Sequence, residues 1–284
     1  MNPCVGIDIG WSSMYMFAEQ KDGQLLERTV PTGRDCERTY ILKEIHEFIN
    51  ELGYTPAGVG VGVVGLVEDN ERVKLSDMPA LTGLRAEHIT DGRIPVRLLN
   101  DVKAATMAEA VHYPDQRTIA VLLAGYGLAV GVVADGTLLQ GARGWSGELG
   151  YTLVSTEGGT VKSLDHLAGE WAILDQAGVG QEEMFRRIDS QDEQAIAIIE
   201  QAGYYLGVAM TNVIHLYNPD VLIVGGSALA YKGYLEKGIA VAKEHTIPNL
   251  LEVCSIVRAQ SEQSSIAQGA REYIRSYVMN RQSE

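Results

Sequence analysis

The sequence predicts an α/β protein built from two duplicated domains. Three observations carry this: the length, a strand–turn–strand–turn–strand pattern that occurs twice, and helical stripes alternating with short apolar runs. At about 150 residues per domain, 284 residues suggest two domains. The first pattern opens with a strand from Cys4 to Ile9 that ends in Asp8-Ile9-Gly10. A strand from Met14 to Glu19, a hairpin turn at Asp22-Gly23 and a strand from Leu25 to Val30 follow. Ile41, Leu42, Ile45, Ile49 and Leu52 recur at helical spacing, and Gly53 supplies the stop. Val59, Val61 and Val63 alternate with small residues as a strand, and Gly65-Leu66-Val67 opens a polar loop reaching Leu84. Val96 to Leu99 is a short strand that breaks at Asn100-Asp101, with a helix expected over Lys103 to Val111.

The pattern then restarts. Thr118 to Leu123 and Leu128 to Val133 are strands around Gly125-Tyr126-Gly127, and Asp135-Gly136 turns into a strand from Thr137 to Gln140. Asp22-Gly23-Gln24-Leu25-Leu26 and Asp135-Gly136-Thr137-Leu138-Leu139 share the form D-G-x-L-L at equivalent points. Duplication is the reading, against chance as the alternative. Further on, Ala195, Ile199, Ala202, Leu206, Ala209, Val213 and Tyr217 stripe a helix from about Gln191 to Tyr217. Val221 to Val224 is wholly apolar, as for a strand buried on both faces, and runs into Gly225-Gly226-Ser227. A last helix is expected from about Ser264 to Tyr277. The expected boundaries are 1–115 for a smaller N-terminal domain, with a C-terminal helix at about 264–284 packing back on it, and 116–263 for a larger C-terminal domain.

Composition narrows the function. The chain is 46% hydrophobic and 21% charged, which is ordinary globular usage, with a net charge of −14. Such an acidic chain makes nucleic acid and anionic membranes poor partners. No apolar run approaches the roughly 18 residues of a membrane span, and MNPCVGIDIG does not read as a signal peptide. Cys4, Cys36 and Cys254 form no disulfide framework, so a cytoplasmic setting is expected.

Several constellations admit chemistry, each beside a plainer reading. Asp8-Ile9-Gly10-Trp11-Ser12 is either a hairpin turn or a cradle of backbone N–H groups for phosphate, with a carboxylate for hydrated Mg²⁺. Gly125-Tyr126-Gly127 is the equivalent turn of the second half. Asn100-Asp101 is either an N-cap or a general base at a strand's carboxyl end. Glu148, in Gly144-Trp145-Ser146-Gly147-Glu148-Leu149-Gly150, is either a surface residue or an acceptor for sugar hydroxyls. Asp165-His166 reads as a helix cap, and His46, His88, His112, His215 and His245 lack metal-ligand spacing.

Taken in order, these pieces resemble the ROK family of sugar kinases and sugar-responsive repressors, which has the actin/hexokinase (ribonuclease-H-like) fold. The matching elements are Gly6-Ile7-Asp8-Ile9-Gly10, Gly65-Leu66-Val67, Asn100-Asp101-Val102-Lys103-Ala104-Ala105, Gly125-Tyr126-Gly127, Asp135-Gly136, the stretch from Gly141 to Gly150, Asn218-Pro219-Asp220-Val221 and Gly225-Gly226. The resemblance implies two domains flanking a nucleotide and sugar cleft. It implies a first phosphate loop at Asp8, Gly10 and Ser12, a second at Gly125 and Gly127, and an adenosine loop at Gly225 and Gly226. Asp101 matches the catalytic base, and Gly65 and Asn100 belong to the sugar site. Glu148 matches the glutamate of the sugar-binding ExGH motif, and Asp165 aligns with another sugar-contacting glutamate. ATP and Mg²⁺, the metal held through water by Asp8, are the implied cofactors, and a homodimer is the implied assembly. The family's repressors carry an N-terminal winged helix; with a strand from residue 4, none is expected here.

The chain departs from the family at defined positions. Tyr151 replaces the ExGH histidine, and Val154 to Thr160 contains no Cys or His where the family has a cysteine-rich zinc loop, so no zinc is expected. Trp11 and Tyr126 put bulk in the two phosphate loops, Ala129-Val130 replaces a glycine pair, and Ala80 stands at a common sugar-binding Asn. Two functions follow. One is ATP-dependent phosphorylation of a hexose, amino sugar or sugar-like polyol, with Asp101 as base. The other is a non-catalytic sugar sensor. Retention of Asp8, Asp101 and Glu148 together favours catalysis, because a pure binder needs no base.

Overall fold

A computed structural model describes residues 2–33, 35–156, 158–260 and 265–282. The chain forms two units, Met1–Pro114 with Leu138–Ser146 and Gln260–Glu284, and Asp115–Thr137 with Gly147–Ala259. Leu138–Ser146, which the expected boundary at 116 assigns to the C-terminal domain, clusters with the first unit.

The first unit contains β1 (Val5–Ile9), β2 (Ser13–Glu19), β3 (Leu25–Pro31), α1 (Arg38–Glu51), β4 (Val59–Val63), β5 (Leu66–Glu68), β6 (Arg72–Leu75), α2 (Ala86–Thr90), β7 (Val96–Asn100) and α3 (Asp101–Ala110). Its sheet runs β3-β2-β1-β4-β7, with β1, β4 and β7 parallel. The buried stripe of α1 is Ile41, Ile45 and Phe48, which packs with Val5, Ile7, Val59, Val61 and Leu98 in one core. The stretch from Gly65 to Leu84, expected as a loop, instead contains the β5–β6 hairpin. Asp69 and Asn70 take positive φ at its tip, the I′-type geometry that these residue types tolerate.

The second unit contains β8 (Thr118–Ala124), β9 (Leu128–Ala134), the first residue of β10 (Thr137–Leu138), β11 (Leu153–Ser155), β12 (Val161–Ser163), α4 (Asp165–Ala168), α5 (Glu170–Ala177), α6 (Gln181–Asp189), α7 (Glu193–Tyr217), β13 (Val221–Gly225), α8 (Tyr234–His245), α9 (Pro248–Val253) and β14 (Ser255–Arg258). Its sheet order, β10-β9-β8-β13-β14, repeats that of the first: an antiparallel meander followed by parallel strands. The duplication read from D-G-x-L-L thus appears as equivalent topology. Helix α7 begins at Glu193, not Gln191, because Asp192 caps it by accepting from the Ala195 N–H at 2.9 Å. Where the family's zinc loop belongs, β11 and β12 pair as a hairpin, closed by the Thr156 N–H donating to Thr160 O at 2.8 Å.

The last helix, α10 (Ser265–Gln282), lies on the first unit; residues 264, 283 and 284 of its expected span fall outside the described residues. The alternating glycines of β1 and β4 give it room. A Cβ on Gly6 would stand 2.3 Å from Ala267 O, and one on Gly60 would stand 1.9 Å from Ala270 O. Gly269 does the same for the crossing with α3, where a Cβ would meet Ala104 O at 1.7 Å. Among the described residues, no helix is long and apolar enough to cross a membrane.

Candidate active site

In the first unit, parallel pairing places Ile9, Val63 and Asn100 side by side at the carboxyl edge of the sheet. That register joins segments far apart in the chain and brings Asp8 near Asp101. Open α/β sheets bind ligands at this edge. Asn100 is extended and caps α3: its side chain accepts from the Val102 N–H at 3.0 Å and donates to Gly65 O at 3.1 Å. Gly65 holds φ +122, and a Cβ there would stand 2.2 Å from Leu75 O, so glycine is required. Asp101, the first helical residue, accepts from the same Val102 N–H at 2.8 Å. The cap reading therefore belongs first to Asn100.

Burial pushes the Asp101 carboxyl above its ordinary value, against hydrogen bonds from Val102 and Asn100 that favour the charged form. Asp8 is pushed up to about 7, first by burial and then by the charge of Asp101. Among the described residues none donates a hydrogen bond to the Asp8 carboxylate. A desolvated carboxylate such as Asp8 suits a divalent cation whose coordination is completed by water and phosphate oxygens. Among the described residues no group of three or more His, Cys, Asp or Glu could hold a metal by itself. Gly10 and Ser12 sit in the β1–β2 turn, closed by the Gly10 N–H donating to Ser13 O at 3.0 Å, with Trp11 exposed at its tip.

Lys103, two residues beyond Asp101, is a site neighbour that no sequence pattern assigns a role. It is 3% exposed, and its ammonium donates to the carbonyl of Gly144, anchoring the Gln140–Gly144 segment to α3. Its one signal is a lysine inside an apolar helical stretch.

In the second unit the ends of β8 and β13 lie in register, Leu123 opposite Gly225. Gly226, at φ +107, passes so close that a Cβ would stand 2.2 Å from Ala124 O. The turn at Gly125-Tyr126-Gly127 closes with the Gly125 N–H donating to Gly127 O at 2.9 Å. Asp165 faces this turn: it accepts from the Leu128 N–H at 2.7 Å, and Cβ atoms on Gly127 and Gly150 would stand 2.8 and 1.9 Å from its Oδ1. Burial raises its carboxyl, opposed by the Leu128 bond. Glu148 is exposed just before the 3-10 turn Leu149–Tyr151, whose Gly150 touches Asp165. Its approach is set by Gly147, at φ +104, which accepts from the Val130 N–H at 2.9 Å.

Beside the second turn lies a groove of about 800 Å³, lined by Tyr126, Glu170, Trp171, Leu174, Asp175 and Gln181 among others. Tyr126 is 72% exposed, and its ring lies 6.4 Å from that of Trp171. Glu170 is not legible as a site residue in the sequence, because an acidic residue in a first helical turn has an ordinary explanation in the helix dipole.

Each unit thus carries a glycine-edged turn at the carboxyl edge of its own sheet. The model of the ROK family matches residues 4–276. The chain belongs to the ROK family. A glucokinase of Halalkalibacterium halodurans is 24% identical over 265 residues, covering 78% of this chain and 79% of that one. A xylose repressor of Bacillus spizizenii is 22% identical over 249 residues, covering 79% of this chain but 64% of the repressor. Among solved structures, the ROK hexokinase from Thermus thermophilus superimposes with a TM-score of 0.79 at 22% identity, covering 96% of this chain and 99% of that one. A ROK family glucokinase from Streptomyces griseus, in complex with glucose and AMPPNP, gives 0.76 at 18% identity, covering 96% and 99%. The fold is that of the ROK hexokinases.

Proposed function

We propose that this ROK protein is a sugar kinase that transfers the γ-phosphoryl group of ATP to a hydroxyl of a hexose, amino sugar or sugar-like polyol. The observation that carries the reading is the Asp8–Asp101 carboxylate pair at the carboxyl edge of the first sheet, with both groups raised. A base works better as its pKa is raised toward the working pH, and burial shifts Asp101 in that direction. Similarity to a glucokinase, and to a structure holding glucose and AMPPNP, supports the class of reaction.

In this reading Asp101 accepts the proton of the attacking sugar hydroxyl, with Asn100 and Gly65 beside it in the sugar site. Glu148 accepts hydrogen bonds from sugar hydroxyls, and Asp165, whose Oδ1 holds the Gly127 turn through the Leu128 N–H, is a second sugar contact. Backbone N–H groups near Gly10, Ser12, Gly125 and Gly127 bind phosphate oxygens, and Gly225 and Gly226 let the nucleoside approach. Asp8 would hold Mg²⁺ through water. The metal, when bound, offsets charge on the transferring phosphoryl group. The protein is proposed to act in the cytoplasm as a homodimer, without nucleic-acid or membrane partners.

The similarity to xylose repressors and the departures at Trp11, Tyr126 and Tyr151 favour a second reading, a non-catalytic sugar sensor. A coupled ADP-release assay over hexoses, amino sugars and cyclitols separates the two. Turnover of one of them is the expected result. No turnover of any, with sugar binding still measurable, would leave the sensor.

A further inference from the structure

The side chain of Glu170, at the start of α5, reaches three residues in two segments of the second unit. Its Oε2 accepts from the Ser227 hydroxyl at 2.6 Å, and its Oε1 accepts from the Gln181 amide at 2.7 Å and the Tyr231 hydroxyl at 3.1 Å. Its own N–H donates to Gly125 O at 2.9 Å. Ser227 follows directly on Gly225-Gly226, and a Cβ on Gly125 would stand 3.5 Å from the Ser227 Oγ. One residue thus ties the turn after β8 to the turn after β13, and the first of these turns edges the groove through Tyr126.

All three side-chain partners come as donors. A carboxylate, which is acceptor-only, meets them with both oxygens; a carboxamide offers one acceptor oxygen and turns an N–H₂ toward a donor. Burial and then the charge of Glu170 push the Tyr231 phenol up, so it remains a donor across the physiological range. We infer that Glu170 is a positioning residue: its carboxylate sets the spacing of the two glycine turns and so organises the nucleotide side of the site. This rests on the kinase reading for what the turns bind, but not for the clamp itself.

The test is a double-mutant cycle of Glu170→Gln and Ser227→Ala in the full chain. Three quantities are measured: ATP affinity by calorimetry with Mg²⁺, sugar affinity, and amide hydrogen exchange of the nucleotide-free protein. Each single change is expected to weaken ATP binding by about 10- to 100-fold, the worth of a charge-assisted hydrogen bond. The double variant should be no worse than the poorer single one, since both remove the same link. Sugar affinity should stay within about twofold, and exchange at residues 125–128 and 226–229 should accelerate in both variants. Unchanged exchange at both turns in both variants overturns the clamp. Faster exchange with unaltered ATP affinity overturns its role toward nucleotide. A native protein that binds no ATP sinks the kinase reading and that role together, while exchange still decides the clamp.

Discussion

Replacing Asp101 with Asn separates proton acceptance from helix capping. The cap of α3 survives, because Asn100 already accepts from the Val102 N–H at 3.0 Å. The amide oxygen of the substituted side chain can also keep the 2.8 Å bond that Asp101 makes to the same N–H. What is lost is the proton acceptor. General-base catalysis contributes about 10²–10⁴-fold, or about 2.7–5.5 kcal/mol of transition-state stabilisation. Stability moves the other way. Asp8, raised to about 7, favours the folded state while protonated; this contribution is complete below its unfolded value of about 4 and is lost as pH rises to about 7. Asp101 adds to that loss through its own raised pKa and its charge on Asp8. The variant should therefore show a kcat lower by about two to four orders of magnitude. Its melting temperature at pH 8 should equal or exceed the native value, with a flatter decline between pH 5 and 8. Coupled ADP release, with a sugar that the native protein turns over, and calorimetric melting at the two pH values measure this. A variant that keeps more than about a tenth of native kcat, or melts several degrees lower at pH 8, refutes the assignment.

Glu148→Gln should weaken sugar binding by about 1–3 kcal/mol and leave ATP affinity nearly unchanged; equal losses for both ligands would mean the assigned role is wrong. Gly226→Ala puts a Cβ 2.2 Å from Ala124 O at a φ of +107, so it should cost about 1–3 kcal/mol in urea unfolding and also weaken ATP binding; native values of both would contradict the close approach. Prolonged EDTA dialysis should leave the melting temperature unchanged, and elemental analysis should find no zinc, because the β11–β12 hairpin is closed by the Thr156 N–H and hydroxyl donating to Thr160 O; about one tightly held zinc per chain would reveal a site elsewhere.

The sequence by itself determined the elements whose signals are local. Alternation and apolar runs mark β1, β4, β8 and β13, the D-G turns mark the meanders, and the stripe of α7 is legible over its whole length. Asn100-Asp101 is visible as a strand-to-helix junction, but both roles fit it, since capping and proton transfer need the same side-chain chemistry. Short polar hairpins such as β5–β6 lie below the periodicity that three or four residues can show. The tertiary structure alone decided which groups meet. Parallel pairing of β1, β4 and β7 puts Asp8 within electrostatic reach of Asp101, and burial first, with that proximity second, raises Asp8 to about 7. Asp165 finds its partner 37 residues upstream at Leu128, and Glu170 finds Ser227 57 residues downstream. No local pattern encodes such contacts, because strand order in the sheet, not spacing along the chain, sets which carboxylate meets which donor.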